Sequence, residues 1–127
     1  MRRALLFTLT VSALSASTAY AHHSFAMFEM SKVVTLTGTI KEVQWTNPHI
    51  WIQVLVPTAE GGGATEEWSV EGGPPTQLTK NGLTSTTLHE GEKVVIKAHP
   101  LKNGKKGGSL MGISSPDGEP IYVEPFQ

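Results

Sequence analysis

VVTLTGTIKEVQWTNPHIWIQVLV, residues 33–56, is the stretch whose pattern decides the fold. Val34, Leu36, Gly38 and Ile40 alternate with Thr35, Thr37, Thr39 and Lys41. A period of two among β-branched residues reads as a half-buried strand. Val43 and Trp45 then carry the apolar series on the other parity. Such a change near a glycine predicts a β-bulge, where one extra residue bends the strand. Ile50, Ile52, Val54 and Val56 form a second alternation after Thr46-Asn47-Pro48. Asn bonds its own backbone and Pro fixes φ, so a turn is expected there. The product is a long, bent hairpin with His49 at the start of its second arm.

Working outward, residues 57–65 contain Gly61-Gly62-Gly63 and read as a loop. EEWSVE, residues 66–71, is a third strand with Trp68 and Val70 on one parity, stopped by Gly72-Gly73-Pro74-Pro75. Residues 76–81 suit a short helix, with Thr76 at the N-cap and Gly82 just past the end. KVVIKA, residues 93–98, is a fourth strand, and residues 103–108 a glycine-rich turn. Leu110, Met111 and Ile113 mark a fifth strand and residues 121–123 a short sixth. This order predicts an all-β chain, a small OB-fold-like barrel of five to six strands with one short helical insertion. A small sandwich of the same strands is the alternative.

The 127 residues suffice for one cored domain. Met1-Arg2-Arg3, an apolar run from Ala4 and the small-x-small Ala19-Tyr20-Ala21 describe a secretory signal peptide over residues 1–21, cut after Ala21. A leader, 22–32, and the barrel domain, 33–127, follow. The expected location is periplasmic or secreted, with no stable membrane span, because no apolar run reaches about 18 residues. Losing Arg2 and Arg3 leaves eight basic against eleven acidic side chains. That balance argues against nucleic acid as a partner, since phosphates call for basic patches. The absence of cysteine excludes thiol chemistry and cysteine-based zinc sites.

Cleavage would start the chain at His22-His23-Ser24-Phe25. An α-amino group has an ordinary pKa of about 7.7–8.0, so a metal displaces its proton cheaply. The amine and imidazole of His22 can chelate one ion, His23 adds an imidazole, and Met27 and Met30 offer thioethers for Cu(I). The competing reading is a tail whose histidines merely suit the cleavage junction.

HHSF, TLTGTI, WTNPHIWI, the Trp68-x-x-Glu71 pair and HEGEKVVIKAHPLKNGK together resemble a group of small exported bacterial proteins classed only as a domain of unknown function. The resemblance covers essentially the whole mature chain. It implies that His22, His23 and His49 form one constellation. In an OB-like barrel Trp45, Asn47, His49 and Glu71 should share a rim, with His89 a candidate neighbour and His99 remote. Ten leader residues reach about 33–36 Å when extended, enough to bring the N-terminus there. Glu71 is then an extra ligand or orients a histidine, with His89, Met27, Met30 and Asn47 as further candidates. Blander readings stand beside these: a turn histidine, a strand-closing glutamate, and core packing for Trp45, Trp51 and Trp68.

Two functions follow as expectations. One is a periplasmic metal-binding protein, copper first, using His22, His23 and His49. The other is a non-catalytic envelope module docking a protein, peptide or oligosaccharide on a face carrying Trp45, Trp51 and Trp68, with Trp51 on the outward parity. Catalysis is the least favoured class, because no nucleophile–base pair stands at usable spacing.

Overall fold

A computed structural model describes residues 25–125. The expected signal peptide and its expected cleavage point, and with them His22 and His23, lie outside the described residues. Strand β1 is Val34–Gln44, β2 Trp51–Pro57 and β3 Thr65–Glu71. Helix α1 is Pro75–Lys80, and β4 Lys93–Pro100, β5 Gly107–Ser114 and β6 Pro120–Val123 follow. The sheet order is β3-β2-β1-β4-β5-β6, and a parallel pairing of β3 with β5 closes the first five strands into a barrel. The expected OB-like architecture is therefore present, with β6 as an added strand.

Strand β1 pairs with β4 over its first half, Val34 opposite Ala98 to Thr39 opposite Lys93. Its second half pairs with β2, ending with Gln44 opposite Trp51. One strand serves two neighbours because it bends, and the register shift between Ile40 and Glu42 is the bulge that the change in parity predicts. Gly38 does a different job from the one its proximity suggests. A Cβ there would stand 2.4 Å from the Leu55 carbonyl oxygen and 2.9 Å from Val54 Cγ1. The missing side chain lets β2 cross close to β1.

Inward residues follow the period-two pattern. Ile52, Val54, Val70, Val94, Ile96 and Ala98 are fully buried, together with Leu78 of α1 and Leu83 after it. Burying each such aliphatic side chain contributes roughly 1.5–3 kcal/mol. The helix is capped two residues earlier than the Thr76 cap expected from the sequence. Pro74 is the N-cap and Pro75 opens the first turn, a position that needs no backbone N–H and suits the fixed φ of proline. Gly82, at φ +91°, ends it as expected. The glycine-rich turn is shorter than the sequence suggests, because Gly107 and Gly108 belong to β5.

The leader is part of the packing. A 3-10 turn at Phe25–Met27 leads to Phe28, which is buried and bridges to Leu101. Glu29 N–H donates to the Pro100 carbonyl at 2.8 Å, and Lys102 N–H to that of Met27 at 3.0 Å. The segment thus lies along the end of β4. Phe28→Ala removes its apolar anchor and is expected to cost about 3 kcal/mol, in the usual range for a buried Phe. Amide hydrogen exchange should show the loss first at Glu29 and Lys102.

Candidate functional site

Glu71, the last residue of β3, sits opposite Trp51 on one side and Ser109 on the other. Ser109 in turn sits opposite His99. Paired residues share a face of the sheet, and Ile52, Val70 and Ala98, one step away on each strand, point inward. Glu71 and His99 therefore belong to the outer face. They are nonetheless buried, 5% and 6% exposed, and are the two buried polar side chains among the described residues. Both line a cleft of about 370 Å³. Phe25, Phe28 and Met30 of the leader form one wall, and Gly72 to Pro74 with Gln77 of α1 form another.

His49 enters this cleft from the hairpin turn. The Asn47–Pro48 peptide is cis, and the Thr46 hydroxyl donates to the His49 carbonyl at 3.2 Å. The next residue is pinned to the end of β3: Gly72 N–H donates to the Ile50 carbonyl at 2.9 Å and Ile50 N–H to that of Gly73 at 3.2 Å. A Cβ at Gly72 would lie 2.6 Å from Ile50 Cγ1, so glycine permits this approach. The His49 ring, half-buried, directs Nδ1 at the Glu71 carboxylate and forms an ion pair with it when protonated. His99 Nδ1 donates to the Lys32 carbonyl at 2.8 Å. At the cleft edge Glu124 accepts from the Tyr122 hydroxyl at 2.7 Å, and burial together with that carboxylate pushes the phenol pKa up.

The rim grouping of the hairpin histidine with Glu71 is what the structure shows; the other expected neighbours divide. Met30 lines the cleft, whereas Met27 does not and is half-exposed. Asn47 is exposed and Trp45 packs against the core. Trp68 also packs there, with Nε1 donating to Glu66 at 3.1 Å and the Lys106 ammonium 5.3 Å from its ring. Trp51 keeps the outward parity beside Gln53.

Two expectations are reversed. His89 is not a cleft residue: its side chain is 74% exposed on the turn before β4, 3.7 Å from Glu92. His99, expected to be remote, lines the cleft. The reason is stagger. Strand β5 meets β3 only through its first three residues, Gly107 to Ser109, so the level of Glu71 is that of the end of β4. Closing a barrel requires such a shear, and its size is not written in the strand pattern. A signal for His99 existed in its place within the quoted motif block, one residue after the inward Ala98.

Among the described residues no group of three or more His, Asp or Glu side chains forms a metal-binding set, and no helix is long and apolar enough to cross a membrane. Residues 10–110 match the model of a family of unknown function, DUF6152. A search of curated proteins gave no match. Among solved structures, the fold resembles Rim1, the mitochondrial single-stranded DNA binding protein of S. cerevisiae, at 13% identity and a TM-score of 0.50, covering 65% of this chain and 91% of that one. A second, selenomethionine-labelled Rim1 structure gives 11% identity and a TM-score of 0.45 over 73% and 96%. At these identities the likeness is one of fold.

Proposed function

The chain belongs to the DUF6152 family of unknown function, and we propose that it is an exported metal-binding protein, copper being the first candidate, whose site is made from the mature N-terminus and the cleft of the barrel. One observation carries this reading: the first described leader residue, Phe25, lines the same cleft as His49 and Glu71. Phe25 is the third residue after His22, and three extended residues span only about 10 Å. On cleavage after Ala21, the new terminus and the imidazoles of His22 and His23 would start within that chain length of a cleft residue.

The chemistry of the donors fits. A carboxylate on Nδ1 fixes the histidine tautomer and orients the ring toward a metal at Nε2. Glu71 stands in that relation to His49. Nitrogen donors of this kind suit Cu(II), with Ni(II) and Zn(II) behind it. An amine terminus created only by export would confine loading to the envelope.

The resemblance to Rim1 does not bring nucleic-acid binding with it. Acidic side chains outnumber basic ones here, and of the three tryptophans Trp45 and Trp68 are spent on the core, leaving no row of stacking platforms on a basic groove. Trp51 alone favours a docking module on the outer face, which becomes the leading reading if metal binding fails.

The test is Cu(II) titration of the protein processed to His22, by calorimetry and electron paramagnetic resonance, beside His49→Ala. One-to-one binding through several nitrogens is expected, weakened at least about tenfold by the substitution, since loss of an orienting partner alone costs 10–100-fold. Weak binding indifferent to His49 would refute the proposal.

A further inference from the structure

We propose that residues 25–33 of the leader and the turn between β4 and β5 together form a docking surface for an anionic phospholipid bilayer; the inference does not draw on the metal reading. Two asymmetries of the molecule coincide there. The first is apolar. Five large hydrophobic side chains are exposed among the described residues, and four of them, Phe25, Met27, Met30 and Val33, fall within this one segment at 45–67% exposure. The second is charge. Residues 25–33 and 99–108 carry four lysines against the single carboxylate of Glu29, whereas residues 34–98 and 109–125 carry four lysines against ten carboxylates. An acidic chain thus keeps one basic region, and it is the region with the uncovered apolar side chains.

The fold holds the two segments side by side. Phe28 anchors the leader inward and bridges to Leu101. Lys102 N–H donates to the Met27 carbonyl at 3.0 Å, and His99 Nδ1 donates to that of Lys32 at 2.8 Å. The turn is closed by Leu101 N–H on the Gly107 carbonyl and by Lys105 N–H on Asn103 Oδ1, each at 3.0 Å. Lys106 is taken up by Glu66 at 3.3 Å and by the Trp68 ring. Lys32, Lys102 and Lys105 are exposed and stand in no ion pair among the described residues. The Glu29 carboxylate accepts from the Ser31 hydroxyl at 2.8 Å. Unpaired cations beside exposed Phe and Met are the two signals that hold a protein on a bilayer: apolar side chains enter the acyl boundary while lysines meet anionic headgroups. A nucleic acid would call for stacked aromatics along a groove rather than thioethers and a valine. Phe25 and Met30 also wall the cleft, so docking brings the cleft to the bilayer surface.

The measurement is sedimentation with vesicles of phosphatidylglycerol and phosphatidylcholine, against vesicles of phosphatidylcholine alone. The chain used begins at His22, so that the apolar run from Ala4 cannot insert by itself. The parent is expected to bind the anionic vesicles and to leave them as salt is raised, because exposed charges are screened beyond about 10 Å at about 0.1 M. Each lysine at such a surface is worth about fivefold, so Lys32→Gln, Lys102→Gln and Lys105→Gln together should weaken partitioning about 100-fold. Met27→Ser with Val33→Ser should weaken it at least about tenfold by removing apolar area. Thermal melting should hold in both variants, since all five side chains are exposed. Lys80→Gln, Lys93→Gln and Lys97→Gln together remove the same charge elsewhere and should cost less than about fivefold. Equal losses in the two triple variants would reduce the effect to net charge and overturn the surface. A parent that ignores anionic vesicles would overturn it too, whether or not it retains a single-stranded oligonucleotide. Should the leader triple variant melt early, Lys102→Gln alone decides: a loss of about fivefold supports the proposal, and unchanged partitioning counts against it.

Discussion

Gly108→Ala is expected to lower stability by about 3 kcal/mol or more, at the upper end of what overpacking costs, and to lower Tm by about 10 °C or more for a domain of this size. At Gly108 the barrel closes. The residue faces Val70 of β3 on one side and Pro100 of β4 on the other, and an added Cβ would lie 2.6 Å from the His99 carbonyl oxygen and 3.0 Å from Ala98 Cβ. Both are parts of a central strand paired on two sides, so neither yields without breaking ladder bonds. Gly73→Ala is the control: its Cβ would meet only the Leu78 side chain, Cδ2 at 3.8 Å and Cγ at 3.9 Å, and the change should stay within about 0.5 kcal/mol. Urea unfolding of the two variants measures the contrast. Equal, small losses would show that β5 can back away from β4 and that closure is not tight at this point. Since Ser109 follows directly and bridges Glu71 to His99, a shift here should also disturb the cleft.

That expectation marks the boundary of what the sequence discloses. The hairpin was legible because parity is local: Ile50, Ile52 and Val54 alternate whatever lies across from them, and a bulge leaves its trace as a change of parity after Ile40. His49 beside Glu71 was legible as well, because an antiparallel β2–β3 ladder fixes that end once both strands are known. Closure is different in kind. Whether β5 meets β3 at its beginning or its middle depends on the bend of β1, on the shift between Lys97 and Ala98 and on which backbones approach closely. Gly38, Gly107 and Gly108 register those approaches, but in the sequence a glycine that admits a neighbouring strand looks like one that makes a turn. The misplacement of His89 and His99 follows from this single missing quantity. An error in stagger moves every residue of β4 relative to β3, exchanging the two ends of the strand as candidates for the rim.

One alanine added ahead of His22 is expected to weaken Cu(II) binding by more than about 100-fold, the loss of about 2.7 kcal/mol that such a factor represents. The insertion leaves every barrel residue and every imidazole in the sequence. What it removes is the primary amine on His22, replaced by an amide nitrogen that surrenders its proton far less readily than an α-amino group with an ordinary pKa of about 8. It also breaks the chelate in which amine and imidazole of one residue hold one ion, so the entropy of binding a second donor is no longer met in advance. His49, Glu71 and His99 cannot compensate, since the described residues hold no complete set of three such ligands by themselves. Calorimetry on the extended and native-length chains gives the ratio, with mass spectrometry confirming each N-terminus and the EPR spectrum showing loss of a nitrogen. Equal affinities would mean that the amine is not a ligand and would return the histidines of the leader to the status of a tail. A large ratio, together with intact melting of the extended chain, would tie binding to the one chemical group that export creates, and would make signal cleavage the step that switches the site on.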